Sequence, residues 1–298
     1  MKDLIIIGAG PAGISASLYA KRANFDVLVF YHGGGNLLKA HKIENYYGFP
    51  NGISGKDLYQ NGIEQAKNLG VEVQDLEITH IELNDDLTFN VTSENQKFTS
   101  KALIIASGNK KLRPQIKGIE EFEGKGISYC AICDAFFYKN KNVAVIGSGT
   151  FALSEADDLA NVVSSVKILT NGIDKTELEK IEKSSNKNYE IDSRKIREIK
   201  GNEDNSKVKS VIFDDGSELL LDGIFIALGE AGASDFAKKL GLYLKDDSIV
   251  VNEKMETNIP GLYSCGNSTG GLLQVSKAVY EGAVAGLSAV EYLKSLKN

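Results

Sequence analysis

Short runs that are apolar at every position alternate along the chain with segments of helical period, and glycines mark most of the junctions. Leu4-Ile5-Ile6-Ile7 has no polar position, as expected for a strand covered on both faces of a parallel sheet. It leads into Gly8-Ala9-Gly10-Pro11-Ala12-Gly13, a helical segment over 14–23 and a second strand over 26–31. Strand, glycine turn, helix and strand in that order predict a βαβ unit. The order returns at 142–146, Gly147-Ser148-Gly149-Thr150-Phe151-Ala152, 153–161 and 165–169. Apolar runs over 102–106 and 223–228, each followed by a glycine, are expected to close the two sheets. Another strand ending in glycine is expected within 259–267, then a long helix from about 274 to 294 with Ala and Gly on one face, returning to the first domain.

At 298 residues the chain suits two domains. The expected fold is α/β, with two Rossmann-like nucleotide-binding domains, the second inserted into the first. The first would comprise 1–112 and 242–298, the inserted one 113–241.

In a βαβ context G-x-G-x-x-G is a strong signal. Its glycines let the backbone approach a pyrophosphate, and the helix N-terminus supplies positive potential. The acidic residue expected at the end of the second strand is missing, however, since that stretch reads Phe30-Tyr31-His32, so a ribose must be held some other way. In the second copy Ala152 replaces the last glycine, which helix packing tolerates. The strand after it ends in Thr170-Asn171-Gly172, with no acid for a ribose and no Arg cluster for a 2'-phosphate. That half is expected to keep the fold for packing without binding a dinucleotide.

Hydrophobic residues make up 42% of the chain and the net charge is -6, a balance that argues against a nucleic-acid binder and for a small-molecule or protein substrate. No run approaches the roughly 20 apolar residues of a membrane span. The first strand begins just after Met1-Lys2-Asp3, leaving no room there for a signal peptide, so a cytoplasmic protein is expected. The Lys- and Asn-rich stretch 184–188 reads as a solvated loop.

Two of the three cysteines form Cys130-Ala131-Ile132-Cys133, followed by Asp134. Cys-x-x-Cys in a cysteine-poor chain can close a small disulfide ring and exchange with other dithiols through an acidified thiol. Asp134 can move a proton to or from a leaving thiol. A structural zinc site would draw about four Cys or His ligands, and only Cys265 with scattered His32, His41 and His80 remain, so no metal is expected. The alternative is two buried cysteines that merely fill space. Cys265 itself reads as a small core residue rather than a redox group.

These motifs occur in order with Gly34-Gly35-Asn36-Leu37, Ile43-Glu44-Asn45-Tyr46-Tyr47-Gly48-Phe49-Pro50, Ala106-Ser107-Gly108 and Ile259-Pro260-Gly261-Leu262-Tyr263. Over nearly its whole length the chain resembles the low-molecular-weight thioredoxin reductase family. The resemblance implies FAD in the split domain, NADPH in the inserted one, and electron flow from flavin through the cysteine pair to thioredoxin, in a homodimer. It places FAD contacts at Gly8, Gly10, Pro11, Ala12, Gly13, Gly35, Asn36, Leu37, Asn45, Gly108, Gly266, Asn267, Gln274 and Val275. It implies that Cys133 faces the isoalloxazine, that Cys130 attacks the thioredoxin disulfide, and that Asp134 is the proton donor and acceptor.

The departures bear on the electron donor. The family's His-Arg-Arg stretch, which grips the 2'-phosphate, is Thr170-Asn171-Gly172 here, and neutral side chains cannot match bidentate guanidinium recognition. The family's Gly-Asp appears as Gly266-Asn267 and its Arg-Gln-Ala as Leu273-Gln274-Val275. In these respects the chain resembles the ferredoxin-dependent flavin thioredoxin reductases. The expected function is a flavin-dependent disulfide reductase of thioredoxin fed by ferredoxin, an acidic partner that Lys110, Lys111, Arg113, Lys125, Lys139 and Lys141 would steer. Three alternatives stay open: an NAD(P)H-dependent thioredoxin reductase, an FAD-dependent dithiol oxidase, and a non-catalytic flavin-binding redox sensor.

Overall fold

The computed structural model describes residues 1–33, 35–93, 96–108, 114–173, 189–229 and 232–297, without the side chains of residues 39, 132 and 133. The expected loop at 184–188, the basic residues Lys110, Lys111 and Arg113, Gly34 and the Cys133 side chain therefore lie outside the described residues. Lys125, Lys139 and Lys141 are exposed. The fold is mixed α/β with parallel sheets, as expected.

The chain divides into two compact units, Met1–Lys110 with Gly232–Asn298, and Lys111–Ala231. The return to the first unit was expected at 242 and comes ten residues sooner. Gly241, in the left-handed region at φ 69°, ends a helix and not a domain. That helix, Ala233–Leu240, buries Ala233, Phe236 and Ala237 and packs on strand His80–Leu83 of the first unit.

In the first unit the Lys2–Ile7 strand lies between Val27–Tyr31 and Gln96–Ile105, parallel to both. Leu4, Ile5 and Ile6 have no exposed surface, and burying side chains of this size stabilises by about 1.5–3 kcal/mol each. The 102–105 stretch, expected to close the sheet, occupies its middle. Gln96–Ile105 is long enough to pair antiparallel with Phe89–Ser93 over its first half, and over its second half to stand between Lys2–Ile7 and the short strand Leu262–Ser264. The helices Pro11–Arg22 and Val275–Ser295 pack face to face at small residues: a Cβ on Gly282 would sit 2.1 Å from Ala12 O, and one on Gly286 2.5 Å from Ala16 O. That approach anchors the C-terminal helix to the first glycine loop.

The second unit repeats the plan with Asn142–Ile146 between Ser165–Leu169 and Gly223–Ile226, all parallel. Its helix is Thr150–Ala160. Gly223–Ile226 does not form the edge, because Ile127–Ser128 adds a short parallel strand beyond it. A separate antiparallel sheet of Ile196–Gly201, Val208–Phe213 and Glu218–Leu220 completes the unit.

Candidate active site

The first glycine loop is shaped by close approaches at two of its glycines and left open at the third. Gly8 has φ 111°, and a Cβ there would meet Ala106 O at 2.3 Å. A Cβ on Gly13 would lie 1.8 Å from Gly8 O, so both positions demand glycine for packing. Around Gly10 a Cβ would meet nothing within 4 Å, which is the space a pyrophosphate needs. Gly10 caps the helix in extended conformation, Pro11 opens it, and neither a side-chain cap nor an acidic residue occupies the first turn. The uncapped N–H groups and helix dipole favour an anion there.

Residues distant in sequence converge on this loop. A Cβ on Gly266, at φ 74°, would lie 2.8 Å from the Ala12 Cβ. Gly266 N–H donates to buried Glu281 at 2.8 Å, and Lys277 Nζ donates to the carbonyls of Gly266 and Gly270. Lys277 and Glu281, themselves an ion pair at 3.0 Å, hold the turn that presents Asn267. Gly108 N–H donates to Ser268 Oγ at 3.1 Å. Asn45 Nδ2 donates to Gln274 Oε1 at 3.0 Å across 229 residues of sequence, with Val275 starting the helix. Gly35, Asn36 and Leu37 form the turn after the second strand, whose tight fit shows at Gly55, where a Cβ would be 1.8 Å from Leu37 O. The Ser107 hydroxyl, next to Gly108, is buried with no hydrogen-bond partner. An orphaned polar atom beside an open glycine cradle fits a dinucleotide with hydroxyl and phosphate groups, so these residues suit FAD.

A carboxylate on the neighbouring strand reaches the end of the second strand. Tyr31 is in register with Asp75, the last residue of Glu72–Asp75, and His32 Nδ1 lies 3.2 Å from Asp75 Oδ1. Strand pairing brings Asp75 there, and no spacing rule along the sequence would find it.

In the second unit Cys130 is disulfide-bonded and 4% exposed. It follows strand Ile127–Ser128 and precedes the single turn Ala131–Asp134. Ser128 organises this segment: Cys130 N–H donates to Ser128 Oγ at 3.1 Å, and that hydroxyl donates to Asp134 Oδ2 at 2.6 Å. Ala131 N–H donates to Glu155 Oε2 at 2.7 Å. Ser128 and Glu155 went unnoticed in the sequence because neither belongs to a motif that announces them. Burial, and after it the Asp134 charge, pushes the Tyr138 phenol above its ordinary value. Phe136 and Phe137 are 77% and 70% exposed, so an apolar surface directly follows the pair. The arrangement can hold a disulfide, place a carboxylate three residues beyond Cys130's own neighbour, and meet another protein.

The second glycine loop keeps its backbone shape. A Cβ on Gly147 would meet Ala227 O at 2.1 Å, whereas Gly149 faces space out to Gly229 O at 3.7 Å. The tip of the next strand is different. Thr170 is buried, Asn171 Oδ1 accepts the Ile196 N–H at 2.8 Å, and Gly172 has φ 89°. Arg194, beyond the adjoining strand, binds Asp192 and Ser217 and lies 3.9 Å from the Phe213 ring. Cys265, free and fully buried, belongs to the core beside Ala9, Ala12 and Tyr263, and burial pushes its thiol far above the ordinary range. Among the described residues no group of three or more His, Cys, Asp or Glu is placed to hold a metal ion, and no helix is long and apolar enough to cross a membrane.

Comparison with known proteins agrees with this geometry. Residues 2–282 match the pyridine nucleotide-disulphide oxidoreductase family. The thioredoxin reductase of Aquifex aeolicus is 36% identical over 305 residues, covering 99% of this chain and 94% of that protein. The thioredoxin reductase of Listeria innocua is 35% identical over 308 residues, covering 99% and 95%. Among solved structures, the atypical thioredoxin reductase of Desulfovibrio vulgaris is 36% identical, with TM-score 0.89 and 99% of each chain covered. A ferredoxin-flavin thioredoxin reductase of Clostridium acetobutylicum is 34% identical, with TM-score 0.70 and coverage of 99% and 98%. The chain thus belongs to the pyridine nucleotide-disulphide oxidoreductase family, as an FAD-binding disulfide reductase of the thioredoxin reductase type.

Proposed function

We propose that this flavoprotein receives electrons from reduced ferredoxin and passes them through Cys130 and Cys133 to thioredoxin. The observation that supports the donor assignment is at the 170–172 strand tip, where the one amide side chain is used on the Ile196 N–H, neither Thr170 nor Gly172 supplies a guanidinium, and the neighbouring Arg194 is engaged by Asp192 and Ser217. Bound FAD accepts electrons singly or in pairs and so joins a one-electron donor to a two-electron disulfide. Gly10 would give the backbone room at its pyrophosphate, with Gly8 and Gly13 shaping the turn, Asp75 would offer a carboxylate to the ribose hydroxyls, and Asn45, Gln274, Val275, Gly266 and Asn267 would meet the remainder, with Pro11, Ala12, Gly35, Asn36, Leu37 and Gly108 completing the contact surface.

Two electrons and two protons open the cysteine disulfide. Cys130, as thiolate, attacks the thioredoxin disulfide to form a mixed disulfide, and Cys133 displaces it, restoring the enzyme disulfide and releasing a dithiol. Asp134, held by Ser128, gives and takes the proton. Because Cys130 is buried, the 128–134 segment must uncover before exchange. Phe136 and Phe137 then offer an apolar contact to the partner protein. Working as a cytoplasmic homodimer is part of this reading and rests on the family resemblance.

A second reading has one observation behind it. The Cβ and Cγ of Lys195 lie 3.6 and 3.7 Å from where a Gly172 Cβ would be, so an ammonium is available near the strand tip to a nicotinamide dinucleotide phosphate. Anaerobic stopped-flow absorbance separates the two. Flavin bleaching by reduced ferredoxin, absent with NADPH or NADH and reversed by thioredoxin, is the expected result. Rapid bleaching by NADPH that is lost in Lys195→Ala would replace ferredoxin as the donor.

A further inference from the structure

Helix Thr150–Ala160 opens on the second glycine loop, and on its buried side, among Phe151, Ala152, Ala156 and Leu159, it carries a carboxylate. Glu155 is 1% exposed. Removing a carboxylate from water is costly unless it is put to use, and a small or apolar residue would pack at such a position without that cost. The use is visible: Glu155 Oε2 accepts the Ala131 N–H at 2.7 Å, and Ala131 has no exposed surface. This amide directly follows Cys130 in the turn that leads to Cys133. Helix and turn are distinct elements that pack together, 24 residues apart at this bond.

We infer that Glu155 is a positioning residue for the cysteine pair, its carboxylate holding the Ala131 amide and thereby setting how readily the disulfide is reduced. The inference rests on the reading that Cys130 and Cys133 are the redox pair. Reduction consumes two electrons and two protons and leaves two sulfurs, of which the thiolate form is stabilised by nearby N–H donors. Glu155 withdraws one such donor, the Ala131 N–H, which favours the disulfide over the dithiol and makes the reduced enzyme a stronger reductant. A helix kept from a nucleotide fold thereby serves the redox centre.

The test compares the FAD-loaded full chain with Glu155→Gln, which keeps an oxygen acceptor but no charge, and Glu155→Leu, which keeps neither. Each protein is equilibrated anaerobically in glutathione buffers of known ratio. There two glutathione thiols become one glutathione disulfide as the pair is reduced, and mass spectrometry after thiol alkylation reads the reduced fraction. Glu155→Leu is expected to raise the equilibrium constant for reduction about tenfold, equivalent to about 30 mV, and Glu155→Gln about threefold. Values for both within twofold of the parent, or a pair harder to reduce, overturn the inference. If the leucine protein does not fold, the glutamine protein alone decides. The measurement uses neither thioredoxin nor donor, so it stands apart from the functional reading, which fails separately if Cys130→Ser retains thioredoxin turnover.

Discussion

The Ser128 hydroxyl donates to Asp134 Oδ2 at 2.6 Å while accepting the N–H of Cys130 at 3.1 Å, so one small side chain fixes both the reacting segment and the proposed proton carrier. Ser128→Ala leaves the amide of Cys130 without its acceptor, at a cost of about 1–3 kcal/mol in a buried site, and frees the carboxylate to turn away. Thioredoxin turnover is expected to fall about tenfold in Ser128→Ala. It should fall about a hundredfold or more in Asp134→Asn, in keeping with the usual worth of a positioned acid or base. Steady-state kcat together with urea unfolding checks both. An unchanged kcat in Ser128→Ala would show that Asp134 needs no such support.

Two glycines of one motif should respond oppositely to alanine. Gly13→Ala forces a Cβ to within 1.8 Å of Gly8 O, so the strand-to-helix turn itself must shift and melting temperature should fall steeply. Gly10→Ala meets no atom within 4 Å and has an ordinary φ of -71°, so the apoprotein should lose no more than about 1 kcal/mol, the scale of an N-cap exchange. Its methyl enters the space assigned to the pyrophosphate, so FAD affinity should drop at least about tenfold. Thermal melts of the apoprotein and the flavin-to-protein absorbance ratio after reconstitution read the two effects separately.

The contrast between these glycines bears on what a sequence can disclose. Fully apolar strands and glycine turns are local signals, and Asn142–Ile146 and Ser165–Leu169 fall where the pattern puts them. Asn45 and Gln274 were proposed as flavin contacts from a family resemblance, and folding joins the two side chains directly. Asp75 and Glu155 were illegible because each is placed by tertiary pairing: Asp75 by strand register with Tyr31, Glu155 by an amide on another element. The domain return at 232 was missed for a different reason. Glycine 241 stops a helix, and the same residue type marks helix ends and domain joints alike.

Acid should weaken the second unit through Asp192. Hydrogen bonds from Arg194 hold its carboxyl below the ordinary value of 3.8. A folded-state value depressed in this way contributes stability that is fully present above the ordinary aspartate range and is lost as pH falls through that range toward the lower folded value. Asp192→Asn is therefore expected to melt below the parent at pH 7 by an amount corresponding to about 0.2–1 kcal/mol, the usual worth of an ion pair open to solvent. The gap should narrow progressively below about pH 4. Melting curves of both proteins across pH 3 to 7 check this, and a gap that stays constant would mean that the carboxylate charge contributes nothing.

Asn171 separates a structural role from a nucleotide-binding one. It sits in the left-handed region at φ 53°, which asparagine tolerates better than most residues, and its Oδ1 accepts the Ile196 N–H that starts strand Ile196–Gly201. Asn171→Ala forfeits both the conformational tolerance and the acceptor, so unfolding free energy should fall by about 1–3 kcal/mol. Asn171→Asp, which keeps both, should lose less. Neither change should alter flavin reduction by ferredoxin, because the side chain faces the fold and not a donor. Asn171→Arg introduces the guanidinium needed for a 2'-phosphate, but only by abandoning the Ile196 amide. It is expected to bind NADPH measurably in an equilibrium titration and to pay in stability about what the alanine variant does. An arginine variant that binds NADPH at parental stability would show that the strand tip was never committed to the fold, and would reopen the inserted unit as a nucleotide site.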